Sequence, residues 1–355
     1  MGNESVVTLR VPKRVLKVLV TLIIVVASLA TFWQLRTLLW KSDPDTVKTS
    51  LQPINLTLVS LNGTTIILDQ SDISQLEPFE YMGGYKTSAG YLRGIGNYTG
   101  IPLVTLCNLV GGINNDSSLR VTANDGYSMV YSYDQIMGRG FVTFDPATGD
   151  EVNQSQPLTS ILAYYKDGLN LSLTEDGSLR LALLGSEGLL TEGHWWIKYV
   201  VRLDIRPSVS EWSLMLRGAL VENMTRATFD SGVNEFCHGL NWTDSSDNTW
   251  TGMPLWLLVG RVDDGNVHET TSSVRAFNDT LALQGYTVKV TNSQGYSREF
   301  NSSRVMRSGN IILASGLNGA PLPEPYWPLR LVGSALSSDE MLINIVEIQI
   351  IFAES

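Results

Sequence analysis

Cysteine and histidine are scarce in this chain of 355 residues. It contains two cysteines, Cys107 and Cys237, and three histidines. So few cysteines exclude a fold stapled by several disulfides and a zinc site built from four cysteine ligands. The sequence also lacks a Gly-x-Ser-x-Gly elbow and the Gly-Lys-Ser/Thr end of a phosphate loop. A serine hydrolase and a P-loop nucleotide-binding protein are therefore both disfavoured.

Basic residues are outnumbered by acidic ones. The chain has 25 lysines and arginines against 35 aspartates and glutamates, a net charge of −10. An acidic surface repels phosphate backbones and anionic headgroups, which argues against nucleic acid or anionic lipid as a partner. Hydrophobic residues make up 43% of the chain and include nine tryptophans, enough to form two cores.

One long uncharged run lies near the N-terminus. Residues 18–35 contain no charged side chain, and a helix of this length spans roughly 27 Å, close to the thickness of a bilayer core. Four basic residues precede the run, so the positive-inside rule predicts a cytoplasmic tail over 1–17, a membrane anchor over 18–40 and an extracytoplasmic remainder. The alternative is a cleaved signal peptide, but the run is longer than a usual signal core and no Ala-x-Ala site follows.

The polar stretch 41–50 contains Asp43-Pro44 and is interpreted as a tether. Ten Asn-x-Ser/Thr sequons follow, which together with the predicted topology indicate a glycosylated cell-surface protein. The candidate asparagines are Asn55, Asn62, Asn97, Asn115, Asn153, Asn170, Asn223, Asn241, Asn278 and Asn301.

The chain contains an internal repeat. The block Tyr-Thr-Gly-Ile-Pro-Leu at 98–103 returns as Trp-Thr-Gly-Met-Pro-Leu at 250–255, and three further blocks return in the same order. The offset rises and then falls, which predicts an insert near 263–284 in the second copy and another near 138–159 in the first. We predict two tandem domains, over 51–206 and 207–355.

Short β-rich segments dominate both copies. Each copy begins and ends with a strand pattern, and in each a Gly-x-Pro-Leu block is followed by apolar residues at helical spacing. No regular alternation of strands and helices appears. These features predict an α+β class with mixed β-sheets and short helices.

The ordered blocks resemble the sulfite-oxidase-type molybdopterin-binding domain. The resemblance rests on the Gly-x-Pro-Leu block, a Val-Thr strand ending in Asp-Gly-Tyr-Ser, Leu-Ala-Tyr, Gly-x-Leu-Arg-Leu and Trp-x-Lys-x-Val. It implies two tandem domains of this fold. In this family a cysteine before the Gly-x-Pro-Leu block ligates molybdenum, and arginine, histidine and backbone groups hold the pterin.

The resemblance makes Cys237 the candidate catalytic residue and molybdenum ligand. A thiolate suits such a metal, and an exposed cysteine beside His238 could have a lowered pKa, although most free cysteines are simply small buried hydrophobes. The aligned position of the first copy is assigned to Met82, which cannot supply a thiolate. No arginine follows Cys237 before Trp250, where the family usually has one.

The other features of the family are divided between the copies. The candidate cofactor-binding residues are His238, Arg330, Arg180, His194 and Lys198. Because each copy is incomplete, the sequence favours absence of molybdopterin and a binding or docking module, with a protein partner or small ligand at the domain pockets. The alternatives are a molybdopterin-dependent oxidoreductase that uses Cys237 and a structural cell-surface protein.

Overall fold

The computed structural model describes residues 52–234, 237–265 and 276–352. The predicted tail, anchor and tether lie outside the described residues. Within these ranges no helix is long and apolar enough to cross a membrane. We call residues 52–207 the N-terminal half and residues 213–352 the C-terminal half.

The N-terminal half consists mainly of strands. Its strands are β1 (Asn55–Val59), β2 (Thr65–Asp69), β3 (Phe79–Lys86), β4 (Leu92–Pro102), β5 (Ser117–Ala123), β6 (Ser128–Ser132), β7 (Thr143–Phe144), β8 (Thr159–Lys166), β9 (Leu169–Asn170), β10 (Arg180–Leu184), β11 (Leu190–Glu192) and β12 (Val200–Pro207). Its helices are α1 (Gln70–Ile73), α2 (Leu103–Asn108) and α3 (Tyr133–Ile136), with 3₁₀ turns at Leu171–Leu173 and Gly193–Trp195.

The C-terminal half is built in a similar way. Its strands are β13 (Ser213–Arg217), β14 (Val221–Thr225), β15 (Leu240–Thr243), β16 (Thr249–Pro254), β17 (Tyr286–Asn292), β18 (Ser297–Asn301), β19 (Ile312–Leu317), β20 (Ala320–Pro321), β21 (Arg330–Val332) and β22 (Ile345–Phe352). Its helices are α4 (Arg226–Val233), α5 (Leu255–Gly260), α6 (Asp279–Gln284) and α7 (Ser302–Val305).

The strands form four sheets, two in each half. Sheet 1 has the order β2-β1-β12-β5-β6, and sheet 3 has the order β14-β13-β22-β17-β18. Sheet 2 runs β10-β8-β4-β3-β11-β7 with β9 on β8, and sheet 4 runs β15-β16-β19-β20 with β21 on β19. Sheets 1 and 3 each contain one parallel pair, β1 with β12 and β13 with β22. The described chain is thus mostly β with short helices and mixed sheets, with less helix than the α+β prediction implied.

The two halves share their strand registers. In sheet 2, Ala163 pairs with Gly100 on one side and Arg180 on the other. In sheet 4, Ala314 pairs in the same way with Gly252 and Arg330. The tandem duplication requires such matched registers and stays a prediction.

Two glycines explain why the Gly-x-Pro-Leu blocks form this local structure. A Cβ on Gly100 would lie 2.3 Å from the carbonyl oxygen of Leu162, and one on Gly252 would lie 2.1 Å from that of Leu313. The strands can therefore approach so closely only where the side chain is hydrogen. The following prolines end their strands, and helices α2 and α5 begin at the next residue.

Side chains alternate between the two faces of sheet 1. On β5, Leu119, Val121 and Ala123 are buried, while Arg120 and Thr122 point to the opposite face and are partly exposed. This period of two is what the predicted Val-Thr strand requires.

Helix α4 belongs to the C-terminal half and packs against the N-terminal half. It begins at a Thr225 cap, whose hydroxyl accepts from the backbone N–H of Thr228. Ala227 is buried in the same hydrophobic cluster as the core of the N-terminal half, and the Arg226 guanidinium donates to the Val130 carbonyl oxygen at 3.3 Å. The two halves are therefore in direct contact through this helix, and the predicted boundary at 206/207 stays a prediction.

Candidate functional site

The predicted site residues lie in four separate places in the fold. Arg180 and Lys198 share a carboxylate in the N-terminal half. His194 lies in the 3₁₀ turn that follows β11, Cys237 and His238 lie in the turn before β15, and Arg330 begins β21.

Arg180 is neutralised inside the N-terminal half. Its side chain is 3% exposed and lies 2.7 Å from the Asp176 carboxylate, which also binds the Lys198 ammonium at 2.8 Å. The guanidinium lies over the rings of Tyr85, at 5.1 Å, and Trp196, at 5.4 Å. Burial alone would raise the pKa of Asp176, but Arg180 and Lys198 hold it below its usual value.

Arg330 has no such carboxylate. Tyr326 stands four residues before it, where Arg180 has an aspartate. The guanidinium carbon of Arg330 lies 4.4 Å from the ring centroids of both Trp250 and Tyr326. Its Nε is buried without a hydrogen-bond partner, and no described residue forms an ion pair with the guanidinium. Arg330 is therefore a positive charge held in place by aromatic rings and able to receive an anion.

The Trp250 ring is itself fixed. Its indole N–H donates to Asp244 at 3.0 Å, and the same carboxylate accepts from the backbone N–H groups of Ser246 and Asn248. The Trp250 hydrogen bond, helped by these backbone bonds, lowers the pKa of Asp244 to about 2. The carboxylate thus stays charged at neutral pH and holds the aromatic support of Arg330 in one orientation.

His194 lies where the N-terminal half meets residues of the C-terminal half. Burial, with a smaller contribution from the Arg261 charge, lowers the pKa of His194 to about 3. Its Nε2 is 4.0 Å from Glu192 and has no hydrogen-bond partner in the described structure. The ring packs on Trp195 at 4.5 Å. Burial thus favours the neutral form of His194, and its role as a cofactor contact stays a prediction.

Cys237 lies in a turn between α4 and β15. Its backbone N–H donates to the Asn234 carbonyl oxygen at 2.8 Å, and its side chain is exposed. Partial burial and the charge of Asp125 raise the pKa of the thiol. The predicted lowering of this pKa is therefore wrong, because burial, followed by the charge of an acidic neighbour, opposes thiolate formation.

His238 follows in the same turn, and its backbone N–H donates to the Gly232 carbonyl oxygen at 3.1 Å. The other cysteine, Cys107, is buried, and burial raises its pKa to about 12. Cys107 is therefore an inert core residue, and Cys237 remains the candidate ligand.

Strand pairing corrects the alignment of Cys237 with Met82. Met82 pairs with Asn97, three residues before Gly100. The matching position in sheet 4 is Thr243, which pairs with Thr249, three residues before Gly252. Cys237 lies six residues before Thr243. The sequence comparison missed this because the turns between the paired strands differ in length.

Among the described residues, those of the C-terminal half fit an anionic cofactor better than those of the N-terminal half. Arg330 offers a buried, unpartnered guanidinium nitrogen next to two aromatic rings, which suits a phosphate-bearing pterin. Arg180 also has a buried Nε without a hydrogen-bond partner, but it fits less well because the Asp176 carboxylate already compensates its charge. Among the described residues no cluster of three or more histidine, cysteine, aspartate or glutamate side chains could hold a metal.

The predicted sequons differ in accessibility. Eight of the asparagines are exposed, whereas Asn170 and Asn278 are only partly exposed. The Asn278 amide donates to Asp264 at 2.7 Å, and its oxygen accepts from the Leu281 backbone N–H at the start of α6. Glycosylation stays a prediction, and Asn278 is the site where a glycan would disturb existing hydrogen bonds.

Comparison with known proteins shows a family similarity for part of the chain. Residues 221–351 match the model of the oxidoreductase molybdopterin binding domain. The crystal structure of the sulfane dehydrogenase SoxCD from Paracoccus pantotrophus is similar with a TM-score of 0.36 and 13% sequence identity, over 78% of this chain and 62% of that chain. No curated protein matches the sequence. Residues 221–351, which include Arg330 and Cys237, are therefore the part of the chain that is similar to the oxidoreductase molybdopterin binding domain.

Proposed function

We propose that the C-terminal half binds an anionic cofactor of the molybdopterin class and acts as an oxidoreductase domain. The observation that carries the proposal is Arg330, a guanidinium flanked by Trp250 and Tyr326 and without an acidic partner among the described residues. The family match over 221–351 supports the same half. When bound, such a cofactor would supply a metal centre that exchanges electrons with a substrate.

Several residues of the C-terminal half would have separate roles in holding the cofactor. Arg330 would bind an anionic group through its free guanidinium nitrogens. Trp250, oriented by Asp244, would keep that guanidinium in place. Cys237 is the exposed thiol, and it would have to lose its proton to ligate a metal, against its partial burial and the charge of Asp125. The N-terminal half would then serve as a partner domain without its own cofactor.

A second candidate function is the cofactor-free docking module. The raised pKa of Cys237 and the neutralised Arg180 favour it, since both weaken a metal site of the sulfite-oxidase type. In this case the Arg330 site would bind an acidic group of a protein partner or a small anion.

Arg330 provides the direct test of the cofactor proposal. The full chain would be purified from a host that synthesises molybdopterin, and the released pterin would be measured by fluorescence. We expect Arg330→Gln to lose most of the bound pterin and Arg330→Lys to retain part of it, because lysine keeps the charge but not the bidentate donors. Lys198→Gln is the matched control and should retain all of it. Equal pterin in wild type and Arg330→Gln would refute the role of Arg330.

We further propose that residues 18–40 anchor the protein in a membrane with the folded part on the outer side. The support is the uncharged run after Arg10, Lys13, Arg14 and Lys17. The full chain should stay with membranes during carbonate extraction, and protease added to intact cells should degrade the part after the anchor. A soluble mature form, or a protected folded part, would contradict this proposal.

A further inference from the structure

Three arginines lie together on the outward face of sheet 1. Arg202 and Arg206 lie on β12, and Arg120 lies on the neighbouring strand β5. Arg120 pairs with Asp204, midway between the other two. Diagonal neighbours in an antiparallel pair are about 7–8 Å apart, within reach of long side chains. Strand register therefore gathers these guanidinium groups into one patch, which we call the arginine patch.

The arginine patch keeps a positive charge after its internal pairing. Arg202 binds Asp204 through two nitrogens, at 2.9 and 2.7 Å. Asp204 is 5% exposed, so its charge is covered, whereas Arg202 and Arg206 are exposed. One carboxylate against three guanidinium groups leaves about two positive charges uncompensated.

Most donors of the patch are also unused. Arg120 donates through Nε to the Ser128 hydroxyl at 3.1 Å, and the Arg206 side chain makes no hydrogen bond or ion pair with any described residue. Burial, followed by repulsion from Arg206, lowers the pKa of Arg120. Like charges held this close are stabilised by an anion that bridges them.

We propose that Arg120, Arg202 and Arg206 form a binding site for an oxyanion of the phosphate class. Guanidinium groups on neighbouring strands can each donate two parallel hydrogen bonds to the oxygens of one phosphate or phosphate ester. The patch lies on sheet 1 of the N-terminal half, whereas Arg330 belongs to sheet 4. This site is therefore independent of the proposed cofactor function.

The matching face of sheet 3 lacks the patch. Lys289 pairs with Gln349 where Arg120 pairs with Asp204. Arg217 lies on the strand next to Gln349 and is neutralised by Glu347 at 2.7 Å. Lys289 is therefore a matched control, because it is a cation at the same strand position in a sheet without excess positive charge.

Phosphate titration tests the proposal. The full chain would be placed in nanodiscs of uncharged phosphatidylcholine, and inorganic phosphate would be titrated by calorimetry. We expect wild type and Lys289→Gln to bind with equal affinity. The double variant Arg120→Gln/Arg206→Gln should bind about 100-fold more weakly, since it loses two charge-assisted hydrogen-bonding groups. Circular dichroism would show whether the double variant is folded, and Arg206→Gln alone, at an exposed position, should weaken binding about 10-fold.

A second arm identifies the source of the oxyanion. Nanodiscs that contain phosphatidylglycerol should weaken phosphate binding to wild type if lipid headgroups occupy the patch, and leave it unchanged if the natural ligand is a free oxyanion. Either result is compatible with the site. The proposal is wrong if phosphate does not bind wild type, or if the folded Arg206→Gln and double variants bind as wild type does.

Discussion

At the scale of single residues, the proposal that the C-terminal half holds an anion depends on the difference between Arg180 and Arg330. Both arginines occupy the same position in their sheets, and the repeat in the sequence predicted both as candidates. Their neighbours separate them, since Asp176 neutralises one and Tyr326 packs against the other. The sequence contains this signal four residues before each arginine. The sequence alone could not show its consequence, because only the fold brings the side chain at that position into contact with the arginine.

His194 makes stability depend on pH. Its pKa of about 3 in the folded protein lies below the ordinary value of 6.5, so the unfolded chain binds more protons between these values. The stabilisation is present above pH 6.5 and is lost as pH falls toward 3. Relative to His194→Asn, wild type should lose about 3 kcal/mol of unfolding free energy between pH 6.5 and pH 4.

Urea denaturation at a series of pH values measures this difference. Comparison with His194→Asn removes the contribution of Glu192, whose pKa is raised by burial and whose effect has the opposite sign. A difference between the two proteins that does not change with pH would show that His194 is not buried as described.

At the scale of elements, the sequence predicts strands and the two proline-started helices well. Alternating patterns and Gly-x-Pro-Leu blocks are local signals, and β5, β17, α2 and α5 form where these signals lie. The sequence alignment of Met82 with Cys237 was wrong for a physical reason. Strand register depends on the partner strand and on turn length, neither of which a linear alignment measures.

The strands approach closely at Gly100 and Gly252, and we expect neither position to tolerate a side chain. Gly100→Ala and Gly252→Ala should each lower the unfolding free energy by about 3 kcal/mol, because the new Cβ would collide with backbone that cannot move independently. Gly265→Ala is the control, since its Cβ would meet no atom of the described residues within 4 Å, and should change stability by less than about 0.5 kcal/mol. A tolerated alanine at either repeated position would contradict the described register.

At the scale of the whole molecule, the net charge gave no indication of local clusters of positive charge. The net charge of −10 argued against anionic partners, yet three arginines converge on one face of sheet 1 and one lies unneutralised in sheet 4. A count of charged residues does not show where they lie, whereas strand register shows which of them are neighbours. The family resemblance was visible in the ordered sequence blocks, and the match over 221–351 supports it for the half that carries Arg330.

The central claim is that the C-terminal half holds a cofactor of the molybdopterin class. The measurement that tests it most directly is the ratio of pterin to polypeptide in the wild-type full chain, purified from a host that makes molybdopterin. Molybdenum would be determined by mass spectrometry on the same sample. We predict stoichiometric pterin. A preparation with neither pterin nor molybdenum would contradict the claim and would favour the cofactor-free docking module.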